Sequence, residues 1–100
     1  MVMIRIKDVV DSASSYEDGT KVLDTVRTQL RAGEIVELSF DGIPAVTSAF
    51  VNSALIPLLE SDSFDVLRNR LLFTHTTRFI NDVIRRRFAF VVKRTAHAPR

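Results

Sequence analysis

VELSFDGIPAVTSAFVNSAL, residues 36–55, changes its hydrophobic period halfway along. Val36, Leu38 and Phe40 join Ile35 in a nearly continuous apolar run, the pattern of a strand covered on both faces. Asp41-Gly42 then breaks the run. From Ser48 the spacing lengthens, and Phe50, Val51, Ala54, Leu55 and Leu58 fall on one helical stripe. This helix is predicted from about Ser48 to Leu59, but Pro57 lies inside it. A proline there removes an N–H and clashes with the preceding turn, at ~3 kcal/mol, so a kink or an earlier end is expected.

The same periods organise the chain on either side. In residues 2–7, Val2, Ile4 and Ile6 alternate with Met3, Arg5 and Lys7, which predicts a half-buried strand. DSASSYEDGT reads as a loop, with Asp18 or Thr20 as the cap of a helix from about Thr20 to Ala32. Val22, Leu23, Val26 and Leu30 form its apolar stripe, and Gly33 stands at the position where helices commonly turn left-handed and stop. On the C-terminal side, SDSFDVLRN predicts a short helical turn capped by Asp62 or Ser63. Residues 70–75 form a third strand. A long helix follows, with Thr76 or Thr77 as cap and Phe79, Ile80, Val83 and Ile84 on one face. FAFVVK fits either a strand or more of that helix. The order β-α-β-α-(α)-β-α makes this an α/β domain with a mostly parallel or mixed sheet and right-handed crossovers. Phe40, Val51, Leu55, Leu72, Phe79 and Val83 are the expected core. Residues 1–93 form one domain, and 94–100 form a flexible basic tail.

A chain of 100 residues with 46% apolar and 26% charged side chains has enough material for one core and none to spare for a large cavity. It has no cysteine, which excludes disulfides, thiolate metal sites and thiol nucleophiles. No apolar run is long enough to span a membrane. Arg5 and Lys7 interrupt the N-terminal apolar stretch, so it is not read as a signal peptide, and a cytoplasmic location is expected. The net charge of +2 hides an asymmetry: residues 1–50 carry five basic and eight acidic groups, and residues 51–100 carry nine and four. Arg85–Arg87 and the tail supply most of the excess, which suits either a solvated helix end or an acidic partner.

Little in the chain points to catalysis. His97 lies in the tail, and His75, at the end of the third strand, has no second histidine near it in sequence to complete a metal site. The three glycines follow no phosphate-binding spacing. Val46 and Phe50 flank Ser48 where a nucleophile elbow needs glycines. Asp41 is the best single acid, and it equally suits a turn over Gly42. No enzyme activity, cofactor or metal is expected. The Thr47-Ser48 pair remains, and a hydroxyl before a helix caps it at a gain of ~1 kcal/mol. Ser48 is read as the cap.

Leu38-Ser39-Phe40-Asp41-Gly42-Ile43, followed by Thr47, Ser48, Phe50 and Asn52, resembles the central segment of STAS domains. Those are the anti-sigma-factor antagonists and sulfate-transporter tails, and the likeness is closer still to their short STAS-like relatives of unknown function. It extends over roughly residues 1–88 through the order of elements. In the antagonists, the serine of a D-S-S/T-G loop is phosphorylated by a partner that is both anti-sigma factor and kinase. The resemblance places Ser48 at that serine, with Thr47 as a second candidate for phosphorylation. Thr47 replaces the family's acid, and Ala49-Phe50 replaces its small Ser/Thr-Gly pair.

The resemblance implies a non-catalytic regulatory module in a partner-switching system. Its partner would be an anti-sigma-type ATPase or serine kinase, meeting Asp41, Gly42, Ser48 and Asn52. The alternative is a nucleic-acid or acidic-partner module using Arg78, Arg85, Arg86, Arg87, Lys93 and Arg94. Against nucleic acid, this cluster lacks interleaved aromatics free to stack on bases. A homodimer through FAFVVK is also expected, because its apolar residues are hard to cover in so small a domain.

Overall fold

The computed structural model describes the backbone of residues 1–96 and the side chains of residues 1–92. Three short strands, β1 (Val2–Arg5), β2 (Val36–Ser39) and β3 (Leu71–Thr74), form a parallel sheet in the order β1-β2-β3. Around them the chain builds α1 (Ile6–Val9), α2 (Tyr16–Arg31), α3 (Ser48–Ala54), a 3₁₀ turn (Ile56–Glu60), α4 (Phe64–Arg70) and α5 (Arg78–Ala96). The predicted order of long elements matches, with α1 as an added single turn. The Val10 amide bonds the Ile6 carbonyl at 2.9 Å, so the first strand stops at Arg5 while Ile6 stays fully buried.

Pairing aligns Val2 with Val36 and Leu71, and Ile4 with Leu38 and Phe73. Side chains alternate along each strand, so these residues share one face. On it Ile4, Val36, Leu38 and Leu71 are buried in the core. The other face carries Met3, Glu37 and Leu72, and Met3 is 59% exposed. β2 has no exposed residue, as expected for a strand covered on both faces, but Leu72, at 40% exposure, is no core residue because it points with Met3 rather than with Leu71. Phe79, also expected inside, is 52% exposed. The buried stripe of α5 is Ile80, Ile84 and Phe88, one position further round the helix, and Val83 packs at its margin. Phe40, Val51 and Leu55 are buried as expected.

α2 begins four residues before the predicted Thr20. Its cap is Ser15, whose Oγ accepts from the Asp18 amide at 3.0 Å, rather than Asp18 or Thr20. Gly19 suggested a loop but lies within the helix. A Cβ there would overlap the Ser53 hydroxyl of α3 and sit 2.7 Å from the Phe50 carbonyl. The glycine is what lets α2 and α3 approach. At the far end Gly33 takes φ +86°, as the stop signal predicted. Arg70 donates to the carbonyls of Leu30 (2.7 Å) and Glu34 (3.0 Å), tying the end of α2 to the start of β3.

Pro57 ends regular α3 early, as its position demanded. The α-helix stops at Ala54, and the proline sits in the first turn of the 3₁₀ segment. Ser63 caps α4 by accepting from the Val66 amide, and Thr77 caps α5 by accepting from Ile80. FAFVVK resolves as helix, all within α5. α5 runs through Ala96, and the rest of the expected tail, residues 97–100, lies outside the described residues.

Candidate functional site: the loop 41–48 and the start of α3

The loop leaves β2 through a tight turn. The Ile43 amide donates to the Phe40 carbonyl at 2.9 Å, and Gly42 adopts φ +80°, a conformation in which a Cβ is disfavoured. Asp41 does not form the side-chain turn over Gly42 that is one of its two readings. Its carboxylate faces Arg5 at 3.4 Å, and Arg5 also reaches Asp8 at 3.3 Å. The loop is anchored from beneath, since Ile43 and Val46 are both buried in the core. Asp41, Gly42, Pro44, Ala45, Thr47, Ser48 and Ala49 remain exposed.

The helix cap is Thr47, not Ser48. Thr47 has extended backbone angles, φ −102° and ψ 161°, and its Oγ1 accepts from the Phe50 amide at 3.1 Å. The same hydroxyl donates to the Ser14 carbonyl at 2.7 Å, and the Thr47 amide bonds Ala13 at 3.2 Å. Ser48 is already the first helical residue, and its hydroxyl has no hydrogen-bond partner among the described residues. Of the two candidate hydroxyls, one is committed in both directions and the other stands exposed. Thr47→Ala should therefore cost about 1–2 kcal/mol, through a lost cap and a lost loop tie. Ser48→Ala should stay within about 0.5 kcal/mol, as for an ordinary surface change. Urea unfolding of the two variants checks the assignment, and equal losses would contradict it.

Asp41, Gly42 and Ser48 share this loop surface, and half-buried Asn52 lies one helical turn after Ser48. The Asn52 Oδ1 accepts from Arg87 Nε at 2.8 Å, which fastens α3 to α5. Arg87 also lies 5.2 Å over the Phe90 ring. The three consecutive arginines therefore do not form one patch: Arg85 pairs with Asp82 at 3.7 Å, Arg86 donates to the Asp82 carbonyl, and Arg87 turns toward α3. Arg78 is exposed, and the side chains of Lys93 and Arg94 lie outside the described residues. His75 takes φ +54° in the turn after β3 and is exposed, while His97 lies outside the described residues. No cluster of three metal-ligating side chains occurs among the described residues.

Sequence reasoning missed both the Arg87–Asn52 link and the Arg5–Asp41 pair. These contacts join residues far apart in the chain, and periodicity carries no signal for them. No described helix is long and apolar enough to cross a membrane.

No curated protein and no solved structure matches the chain. A family does: residues 18–80 match the STAS-like domain of unknown function (DUF4325). That span runs from the first turn of α2 to the start of α5. It contains β2, the Asp41–Ser48 loop and α3, the segment whose residues carried the resemblance. The chain belongs to this family of STAS-like domains.

Proposed function

We propose that this domain is a non-catalytic regulatory module that binds a protein partner through the loop 41–48 and the first turn of α3. The observation that carries the reading is the loop's construction. Ile43 and Val46 are buried below it, and Thr47 is bonded to residues 13 and 14 beside it. Above them Pro44, Ala45, Ser48 and Ala49 present a low, exposed surface. A surface already fixed in shape loses little entropy on docking, and small side chains let a partner's backbone approach closely. Asp41 is balanced by Arg5, so the contact carries little net charge of its own.

Ser48 is the proposed point of control. A phosphate there would add about −1.5 to −2 charges. It would extend from an exposed hydroxyl, so the fold need not change, while a packed partner would have to bury it. The resemblance to anti-sigma-factor antagonists supports an ATPase or serine kinase as the partner. The family's acid is replaced by Thr47, which serves here as cap and loop tie. The family's glycine is replaced by Phe50, which is 1% exposed and part of the core. Phe50 points inward and the Thr47 hydroxyl is held by bonds within the chain, which leaves Ser48 and Ala49 to the partner.

A photo-crosslinking residue placed at Ala49, with a second chain carrying it at Lys21 as control, tests the reading in the native cells. A single partner crosslinked from position 49 and not from position 21 is the expected result. The same set of proteins from both positions would refute the surface.

A further inference from the structure

β3 is an edge strand, paired only with β2 among the described residues. A half-open groove of about 520 Å³ lies beside it, and Leu71, Leu72 and Phe73 all line it. Consecutive residues of a strand point to opposite faces. A groove touched by all three must therefore follow the strand's edge rather than either face. Ile84 and Phe88 of α5 form its far wall, and Leu67 of α4 lies on the same lining.

Part of the main chain along this edge is unpaired among the described residues: the Leu71 amide donates to the Leu67 carbonyl at the end of α4, but Phe73 has no such bond. The Phe40 amide bonds the Thr74 carbonyl at 2.9 Å, so Thr74 directs its peptide groups toward β2. In a parallel ladder the next residue directs both of its groups the other way. The N–H and C=O of Phe73 therefore face outward along the groove. A lipid chain or a compact apolar molecule would leave them unpaired, whereas an added strand would pair them. The opposite edge is guarded differently: Arg5 on β1 is held between Asp8 and Asp41, the kind of charge that deters strand addition.

Charge narrows the choice of occupant. Arg68 and Arg85 line the groove, and both are well exposed. Among the described residues their ion-pair partners are the neighbouring Asp65 at 4.0 Å and Asp82 at 3.7 Å. Residues 51–100, which supply every residue of the groove, carry nine basic and four acidic groups. A second copy docked edge to edge would bring these like charges together, while carboxylates would be drawn in. We propose that the β3 edge and α5 form a docking groove for an extended segment of another protein, alternating apolar and acidic residues, that joins the sheet as a fourth strand. This surface is separate from the loop 41–48 and does not depend on that loop's role.

The probe is an acetylated and amidated peptide of about eight residues, an ordinary strand length, alternating valine and glutamate. It is titrated into the 100-residue chain while backbone amides are followed by NMR. Saturable shifts confined to β3 and α5 are expected, with exchange of the Phe73 amide slowed roughly tenfold or more on binding. Reversing both charges, Arg68→Glu with Arg85→Glu, should weaken binding roughly tenfold or more. Both side chains are exposed, so the fold should tolerate the change. The same peptide with alternate amides N-methylated should not bind, and Ser48→Asp should bind it as wild type does. The proposal is overturned by an absence of saturable shifts at millimolar peptide, or by equal binding of the N-methylated peptide. It is also overturned if the charge-reversed chain binds equally well, or if sedimentation shows the free chain dimerising through this edge.

Discussion

Phe50→Ala is expected to remove about 3–5 kcal/mol of stability, the usual cost of truncating a fully buried phenylalanine. The ring is 1% exposed and is among the largest fully buried side chains of the domain. Its backbone is equally committed. The amide is bonded by Thr47 Oγ1, and the carbonyl accepts from the buried Ser53 hydroxyl at 3.1 Å. With these bonds holding α3 in place, the site cannot collapse easily around the missing ring, which puts the cost toward the upper end. Single domains have only about 5–15 kcal/mol to lose. The variant should therefore unfold at a melting temperature lower by roughly 15 °C or more. Thermal and urea unfolding check this, and an unmoved midpoint would show that α3 does not carry the core.

The second large effect is expected at Gly19, where Gly19→Leu should cost about 3 kcal/mol and Gly19→Ala less. Two terms oppose each other. Replacing a helical glycine gains up to about 1 kcal/mol in helix propensity. Against this, the new Cβ would overlap the Ser53 hydroxyl and approach the Phe50 carbonyl, which belongs to the backbone and cannot swing aside. Overlap outweighs propensity, so both variants should be destabilised, in order of side-chain size. A more stable Gly19→Ala would mean that α2 and α3 do not meet there. α2 and α3 share this close contact, so it also fixes where α3 begins and how the loop 41–48 is presented.

Patterns that depend on chain-local spacing were legible in the sequence. The period-two strands, the stripe of α3, the left-handed Gly33 and the disruptive Pro57 all report on their immediate neighbours. Features decided by tertiary contact were not legible. Gly19 suggests a loop because glycine is permissive, yet its position is set by a neighbouring helix. Leu72 and Phe79 are apolar residues one step out of phase with buried neighbours, and composition alone cannot set the phase. Ser48 and Thr47 are adjacent hydroxyls with the same capping chemistry. Only the backbone angles and the Ser14 carbonyl decide between them. Asn52 carried a share of the resemblance, and its bond to Arg87, 35 residues away, had no local signal.

The most direct test of the proposed docking surface is the affinity of Ser48→Asp for the crosslinked partner, measured by calorimetry beside its own unfolding curve. Aspartate at the first position of a helix is favoured by the helix dipole, so stability should be unchanged or slightly raised. Its charge, placed where the partner packs, should weaken binding at least tenfold, or ~1.4 kcal/mol. Normal stability with weakened binding is the predicted result. Normal stability with wild-type affinity would contradict the account and leave Ser48 an ordinary surface residue.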